Sequence, residues 1–314
     1  MNEMYKSGFA QSILDMIEFK MALGHKMNSY KWYLLNFDIF CQKHFPNDSI
    51  LTREIALAWC NDIKEKSKSG YRFHTIREFG KYLVANGKKA YVIPSTLMPK
   101  YKADIPYILS DEELKNFFDA TDRVPHCSRY PLLEYTIPVI FRLQYACGMR
   151  PQEARLLKVT NFDFSNNTIY IEESKWCKDR KLAVTDHIMN LCYKYNKIAN
   201  TIIPDRTYFF QSPKGKEYSH GWLTEKFHEC WERSGNGTDK GSCVPYDLRH
   251  NFATRTLMKW IEDGIEINEY LPYLSAYMGH ASFSSTFYYI HLLPERLSLM
   301  DFTQTKGIIP EVIE

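Results

Sequence analysis

The spacing of apolar residues over the first part of the chain predicts four short helices. In the segment "GFAQSILDMIEFKMALG", apolar residues recur at intervals of three and four from Ile13 to Met21, and Gly24 closes the stripe. Comparable stripes lie in three further segments: 28–45, 52–67, which begins at the cap residue Thr52, and 71–87. Four helices with brief connections predict a compact helical bundle over residues 1–90.

The helical spacing of apolar residues is absent between the bundle and the next helical segment. The stretch "KKAYVIPSTLMPKYKADIPYIL" contains three prolines and four lysines, a composition typical of an extended connector. We therefore predict a linker over residues 91–108. The same composition also suits a basic strand that lies along a phosphate backbone.

Beyond the linker, helical periods surround a short stretch with the period of β-strands. Ser110 and Glu113 have the spacing of a capping box, and an apolar helix with an internal Pro138 follows at 131–148. The runs "NTIYIEESK" and "RKLAVT" predict a hairpin, with "TNFDFS" as a third strand. The remaining helices are expected at 186–200, 220–234, 246–262, 268–278, 283–292 and 294–301. The predicted fold is mainly α with a small antiparallel β-sheet, in which 109–301 form the second domain and 302–314 a C-terminal tail.

Composition supports two globular domains and indicates the partner and the cellular location of the protein. The 314 residues are 45% hydrophobic, enough for two cores, and residues 1–104 carry 16 Lys and Arg against 10 Asp and Glu. That mild basic excess favours a polyanionic partner. The eight cysteines form no C-x-x-C pair, a pattern typical of reduced thiols rather than of disulfides or zinc. Since no apolar run approaches the length of a membrane span, we expect a cytoplasmic, nucleoid-associated protein.

Five polar residues of the second domain, taken together, fit one reaction. They are Arg150, Lys175, Arg249, His280 and Tyr289. Guanidinium groups clamp the oxygens of a phosphodiester and neutralise the charge that grows in its transition state. A lysine can protonate the leaving oxygen, and a tyrosine beside cations can act as the nucleophile. Such a reaction needs no cofactor and no metal ion.

The segments that carry these residues resemble, in chain order, the motifs of the tyrosine recombinase (phage integrase) family. "YACGMRPQEARLLK" is similar to the first box, with Arg150 as the first catalytic arginine and Glu153 as its acidic supporter. "SKWCKDRKLAV" resembles the hairpin that carries the catalytic lysine, at Lys175. Two other lysines, Lys178 and Lys181, share this hairpin and compete for the role.

The two remaining motifs lie nearer the C-terminus. "YDLRHNFATR" resembles the second box, with Arg249 as the second arginine, and "MGHASFSSTFYYIH" resembles the last box, with His280. In the last box the family pattern places the nucleophile two residues before the histidine. That spacing selects Tyr289 over the adjacent Tyr288.

One position departs from the family pattern. Most members have a histidine three residues before the second arginine, where this chain has Tyr246. The resemblance implies that this histidine takes the proton of the tyrosine nucleophile. A neutral phenol donates a hydrogen bond but is a poor base near pH 7. We therefore expect Tyr246 to position the phosphate or Arg249. The adjacent His250 is turned by about 100° along the helix, so we expect it to pack or cap within the fold and not to replace the missing histidine.

The resemblance implies a site-specific DNA recombinase, or integrase, that works through a covalent 3′-phosphotyrosyl intermediate. It implies double-stranded DNA as partner, a homotetramer on paired sites, a mobile element undergoing integration or transposition, and a possible accessory DNA-bending or directionality factor. In the N-terminal domain it favours phosphate contacts by the basic residues, which otherwise form a solvated helical face: Lys64, Lys66, Lys68, Arg72, Arg77 and Lys81. Three alternatives stay open: a catalytically weakened DNA-binding relative, a type IB-like topoisomerase, and a helical regulator without catalysis.

Overall fold

The fold was examined in a computed structural model that describes residues 4–25, 27–62, 69–99, 105–172, 179–237, 243–280 and 282–293. Contacts within the chain divide it into two units, Met1–Asp104 and Ile105–Glu314. The predicted helix at 294–301 and the tail at 302–314 lie outside the described residues. Within the described residues, no helix is long and apolar enough to cross a lipid bilayer.

The N-terminal unit contains four helices in its described part, as the apolar spacing predicts. They are α1 (Ala10–Ala22), α2 (Asn28–His44), α3 (Arg53–Asn61) and α4 (Ser69–Ala85). α3 begins where the Thr52 side chain accepts a hydrogen bond from the backbone N–H of Ile55. Aromatic rings fill the core, with Phe37 in contact with Phe9, Trp59 and Phe79.

Part of the predicted linker packs with this unit and is not a free connector. Ala90 pairs with Leu51 in an isolated β-bridge, and the N–H of Tyr91 donates to the carbonyl of Leu51. Ile93 is fully buried in the N-terminal core. The apolar run that precedes Pro94 explains this packing, because burial of an isoleucine side chain is favourable by about 1.5–3 kcal/mol.

The C-terminal unit is a larger helical assembly with one small sheet. Its helices are α5 (Asp111–Asp122), α6 (Leu133–Cys147), α7 (Pro151–Leu156), α8 (Asp186–Ile202), α9 (His220–Arg233), α10 (Asp247–Glu262), α11 (Ile267–Met278) and α12 (Ser284–His291). The capping box at the start of α5 is confirmed, since Ser110 Oγ accepts from the N–H of Glu113 and Glu113 Oε2 accepts from the N–H of Ser110. α6 is buried along most of its length and packs against α5, α8 and α10.

The predicted hairpin and third strand form a three-stranded antiparallel sheet. β1 (Phe162–Asp163) pairs with β2 (Thr168–Ile171), and β2 pairs with β3 (Arg180–Ala183). In the register of β2 and β3, Ile169 faces Leu182 and Ile171 faces Arg180. Leu182 is fully buried, and residues two apart on a strand share a face. Arg180 is therefore directed towards the interior of the unit, beside α7 and α11.

Candidate active site

Two helices of the C-terminal unit end in the same way and bring their last carbonyls towards one site. α6 ends at Gly148, with φ +56°, and α11 ends at Gly279, with φ +66°. This left-handed conformation favours glycine. A Cβ atom on Gly148 would lie 2.4 Å from the Phe252 ring, and one on Gly279 would lie 2.8 Å from Arg180 Nη1. Close packing and backbone conformation therefore both require glycine where the chain turns towards Arg150 and His280.

Arg150 is fixed by a carboxylate that it shares with a second arginine. Its Nη1 donates to Glu153 Oε1 at 2.6 Å, while its backbone N–H donates to Glu153 Oε2 at 2.9 Å. Arg180 donates to both oxygens of the same carboxylate, at 2.9 and 2.8 Å. Burial alone would raise the pKa of Glu153, but hydrogen bonds and positive charge from Arg180 and Arg150 lower this pKa to about 2. Glu153 is therefore ionised and orients two guanidinium groups.

Arg249 is completely buried and bound by backbone oxygen atoms. Its Nη1 donates to the carbonyl of Gly148 at 2.5 Å, and its Nη2 donates to the carbonyl of Met278 at 2.8 Å. Arg150 Nη2 makes the matching contact with the carbonyl of Gly279, at 2.6 Å. The two arginines thus join the end of α6 to the end of α11. Among the described residues, Arg249 Nε has no hydrogen-bond partner.

Tyr289 projects from α12 into this cluster. It is only 3% exposed, and its hydroxyl lies 3.1 Å from Nδ1 of His250. The ring of His280 stacks on the Tyr289 ring at 6.1 Å with an interplanar angle of 17°. His280 is itself held by Thr286, whose Oγ1 lies 2.7 Å from its Nδ1. The phenol therefore lies between two imidazole rings.

Burial and the arginine charges set the protonation states of these rings. Burial lowers the pKa of His280 to about 3, with Arg249, Arg150 and Arg180 adding to the effect. Burial and then Arg249 lower the pKa of His250 to about 4. Burial raises the pKa of Tyr289 to about 12, although the charge of Arg249 opposes that rise. Near pH 7 both imidazoles are neutral and the tyrosine carries its proton.

His250 makes a contact that the sequence did not predict. We expected this residue to pack or cap within the fold, and its half-buried ring packs against the rings of Tyr246 and Tyr289. Its Nδ1 atom also lies against the Tyr289 hydroxyl. Tyr246 is 39% exposed, and its ring packs against the His250 ring at 5.0 Å.

The remaining predicted site residues are only partly described. Lys175, the competing Lys178, and three bundle lysines (Lys64, Lys66 and Lys68) lie outside the described residues. In α4, Arg72 donates to the carbonyls of Trp59 and Asp62 at 2.7 and 2.6 Å.

Two other basic residues of α4 are described. Lys81 pairs with Glu78 at 2.7 Å, and Arg77 is half-buried. Arg72, in contrast, has an evident structural role, because it binds the last carbonyls of α3 and lies over the Trp59 ring. DNA contacts by these residues stay a prediction.

Arg180 and Thr286 were not singled out from the sequence, although both position site residues. For Arg180 the strand period offered a usable indication. A charged residue that shares a strand face with the buried Leu182 must find a partner inside the unit. Thr286 gave no comparable indication, because a threonine on a short helix is ordinary.

Comparison with known proteins agrees with this arrangement. The sequence model of the phage integrase family matches residues 108–296. The putative integrase/recombinase y4rB of Sinorhizobium fredii is 29% identical over 299 residues, covering 92% of this chain and 94% of that protein. Among solved structures, a post-cleavage complex of the XerH site-specific recombinase with palindromic difH substrate superposes with a TM-score of 0.65. It is 20% identical, and the match covers 98% of this chain and 92% of XerH.

A second solved structure, a lambda integrase tetramer bound to a Holliday junction, has a TM-score of 0.59. It is 16% identical, with 89% of this chain and 76% of lambda integrase covered. The match to the family model spans well over half of the chain and contains every described residue of the site. The chain therefore belongs to the phage integrase family, the tyrosine recombinases, which cut and rejoin DNA strands.

Proposed function

We propose that this chain is a site-specific DNA recombinase in which Tyr289 attacks a phosphodiester of duplex DNA. The attack forms a 3′-phosphotyrosyl bond and releases a 5′-hydroxyl. Because the new bond keeps the energy of the phosphodiester, the 5′-hydroxyl of a partner strand can attack it and rejoin the DNA without ATP. The proposal assigns a role to each residue that converges at the ends of α6 and α11.

A buried excess of positive charge beside the Tyr289 hydroxyl carries the proposal. The guanidinium groups of Arg150, Arg180 and Arg249 meet here. Among the described contacts of these three groups, Glu153 provides the only carboxylate. Burial of unpaired charge is costly in a folded protein. A phosphodiester anion that binds at this position would offset that cost, and it would lie next to the nucleophile.

Each arginine suits transition-state stabilisation for a different reason. Arg249 is rigidly held by two carbonyl groups and has a spare Nε–H donor. Arg150 is oriented by Glu153 on one side and by the carbonyl of Gly279 on the other. Donors that are fixed before the reaction need no reorganisation as charge grows on the phosphorane oxygens. We assign both arginines to those oxygens.

The other residues act around this centre. His280 stacks against the ring of Tyr289 and is held by Thr286, so it orients the nucleophile and lies within reach of the phosphate. Tyr246 is exposed at the start of α10 and is assigned a hydrogen bond to the phosphate. Lys175 is assigned the proton that the leaving 5′-oxygen needs, a role typical of a lysine beside a leaving group.

DNA binding and assembly complete the proposal. The basic residues of the N-terminal unit are assigned to phosphate contacts, which would make binding sensitive to salt. The lambda integrase tetramer on a Holliday junction supports a homotetramer on paired sites for this chain. The integrase relative in Sinorhizobium supports a mobile element as the origin of the substrate, with integration or transposition as its fate. An accessory DNA-bending or directionality factor belongs to the same proposal.

Covalent capture tests the chemistry. The full chain is incubated in chelator with a pool of short nicked duplexes that includes random and source-genome sequences, and adducts that survive denaturant are sequenced. The nick lets the short cleaved strand diffuse away, so the covalent protein–DNA adduct accumulates. We expect adducts with the wild-type chain and none with Tyr289→Phe.

The adjacent tyrosine provides the matched control. Tyr288→Phe removes the same hydroxyl group one residue away, from a half-buried side chain of the same helix. It should leave adduct formation intact. Adducts that persist in Tyr289→Phe, or DNA binding by the wild-type chain without any adduct, would overturn the proposal. Strand joining between two different duplexes distinguishes a recombinase from a topoisomerase.

A further inference from the structure

The chain lacks the histidine that most members of its family have three residues before the second arginine, and the proton of the nucleophile needs another acceptor. We propose that His250 accepts the proton of the Tyr289 hydroxyl through its Nδ1 atom. This inference rests on the proposed function, because it assigns a further catalytic residue to the same reaction.

The geometry places one acceptor atom against the reacting oxygen. His250 Nδ1 lies 3.1 Å from Tyr289 Oη, within hydrogen-bond distance and therefore suitable for direct proton transfer. The two ring centroids are 5.5 Å apart. His280, the other imidazole beside Tyr289, uses its own Nδ1 on Thr286 Oγ1, and its ring stacks on the phenol face. Of these two imidazoles, His250 is therefore the one whose ring nitrogen lies within hydrogen-bond distance of the hydroxyl.

Tyr246 has a place in this arrangement even though it is not a base. Its ring packs on the ring of His250 at 5.0 Å, one helical turn earlier on α10. Residues four apart on a helix are neighbours, so an aromatic residue at position 246 can fix the imidazole orientation. The substitution of tyrosine for the usual histidine therefore accompanies a shift of the acceptor by one turn, from position 246 to position 250.

The surroundings keep His250 in its neutral form. Burial and the charge of Arg249 hold its pKa at about 4, and the other titratable groups that face it are Tyr246, His280 and Tyr289. A neutral imidazole that accepts at Nδ1 carries its own proton on Nε2. An anionic phosphodiester at Arg249 would reduce the positive field at His250, which raises the affinity of Nδ1 for a proton when DNA is bound.

The proton balance of the step is complete. As the Tyr289 Oη–P bond forms, the proton moves from Oη to His250 Nδ1, giving an imidazolium ion. The P–O5′ bond breaks, and the leaving oxygen receives its proton from the donor assigned to Lys175. In the reverse step the 5′-hydroxyl attacks phosphorus and gives its proton to the group assigned to Lys175. The P–Oη bond then breaks, and His250 returns its proton to the departing phenolate oxygen.

The variant that tests this step is His250→Asn. The asparagine Oδ1 can occupy the position of Nδ1 and accept the Tyr289 hydrogen bond, but it cannot take up a proton near neutral pH. We expect adduct formation on the duplexes captured by the wild-type chain to slow by about 10²–10⁴-fold, the usual contribution of a general base. In His250→Asn the rate should rise with pH up to pH 9, while the wild-type rate stays level above pH 6.

A matched substitution controls for the loss of an imidazole. His126→Asn alters an exposed histidine of the same unit that pairs with Glu134, and it should react at the wild-type rate. If His250→Asn reacts as fast as His126→Asn, the contact with Tyr289 is only structural and the inference is wrong.

A modified leaving group distinguishes the acceptor of the nucleophile's proton from the donor of the leaving group's proton. In duplexes with sulfur in place of the bridging 5′-oxygen, the leaving thiolate needs no proton. Lys175→Ala should then recover, whereas His250→Asn should stay slow because its defect concerns the nucleophile. Recovery of His250→Asn on these duplexes would contradict the proposal.

A measurement without DNA distinguishes failure of this inference from failure of the proposed function. Nitrogen NMR of histidine-labelled full-length protein should show His250 protonated on Nε2 near pH 7, with Nδ1 as the acceptor. In Tyr289→Phe the Nδ1 resonance should shift because the hydroxyl donor is gone. A His250 protonated on Nδ1, or insensitive to Tyr289→Phe, would overturn the inference even where covalent capture succeeds. If capture fails and the resonances behave as expected, the proposed function fails instead.

Discussion

Asp38 in the N-terminal unit and Arg249 in the C-terminal unit are both completely buried, and their surroundings differ. The Asp38 carboxylate accepts hydrogen bonds from the backbone N–H groups of Lys6 and Ser7, from the Ser7 hydroxyl and from Gln42. It fixes the segment before α1 to α2. Arg249 has two carbonyl partners, a spare Nε–H group, and the like charge of Arg150 nearby.

The difference separates a structural charge from a functional one. Asp38 has a donor for each carboxylate oxygen, so its burial is fully compensated within the unit. Arg249 is compensated only in part, and what it lacks is an anion beside Tyr289. The two units should therefore respond differently to substitution and to pH.

Loss of the Arg249 guanidinium group should slow the reaction strongly in molecules that remain folded. We expect Arg249→Ala to slow covalent adduct formation by at least about 10²–10³-fold, the usual cost of removing one preorganised donor to a developing oxyanion. Arg249→Lys should recover little of this loss, because an ammonium group lacks the fork that spans two acceptors. Single-turnover adduct formation measures both variants. Equal rates for Arg249→Lys and the wild type would contradict the assignment.

The two half-buried histidines, His250 and His280, should make the C-terminal unit sensitive to mild acid. Their folded pKa values, about 4 for His250 and about 3 for His280, lie below the unfolded value of about 6.5. Below pH 6.5 the unfolded chain therefore binds protons that the folded chain does not, and stability falls. Each histidine should lower the free energy of unfolding by about 1.4 kcal/mol per pH unit between about pH 6 and pH 4. The free energy of unfolding of His250→Asn, measured with urea at several pH values, should change with pH about half as steeply as that of the wild type. An unchanged dependence on pH would contradict the lowered pKa of His250.

Substitution of Asp38 should lower stability and leave the reaction rate unchanged. Asp38→Ala leaves buried donors at Lys6, Ser7 and Gln42 without an acceptor, so we expect the unfolding free energy of the N-terminal unit to fall by about 1–3 kcal/mol. Covalent chemistry per folded molecule should be unchanged at temperatures where the variant remains folded. Urea unfolding and the capture assay test the two expectations separately. A rate loss comparable to that of Arg249→Ala would show that the contrast between the two charges is wrong.

Two left-handed glycines compare the two units at the level of the backbone. Gly24 in the N-terminal unit has φ +79° with open space around it, whereas Gly148 has φ +56° with the Phe252 ring in the way. Gly24→Ala should cost about 1–2 kcal/mol for the backbone conformation alone. Gly148→Ala should cost about 1–3 kcal/mol more, the usual price of overpacking. Urea unfolding measures the loss of stability in each variant. Equal losses would show that the contact with Phe252 is unimportant.

The sequence predicted the elements of the fold more completely than the geometry of the site. Helical periods, the capping box at Ser110 and the strand period around 160–185 are local features, and these predictions were confirmed. The linker prediction did not include the packing of Ile93, which is buried against residues far away in sequence.

The site required information that no local pattern carries. The family motifs identified Arg150, Arg249, His280 and Tyr289, and the structure brings them together at the ends of α6 and α11. Their orientation depends on how α12 meets α10, which places the Tyr289 hydroxyl within hydrogen-bond distance of His250. The rotation of about 100° between neighbouring helix positions does not exclude a contact between His250 and Tyr289, because that contact also depends on the direction from which the phenol approaches α10.

The most direct test of the central claim is to identify the residue that carries the DNA. Adducts from the wild-type chain are digested with protease and nuclease, and the nucleotide-bearing peptide is sequenced by mass spectrometry. The account predicts a single modified residue, Tyr289, joined to a 3′-phosphate. Attachment to Tyr288 or to any other residue, or attachment through a 5′-phosphate, would contradict it.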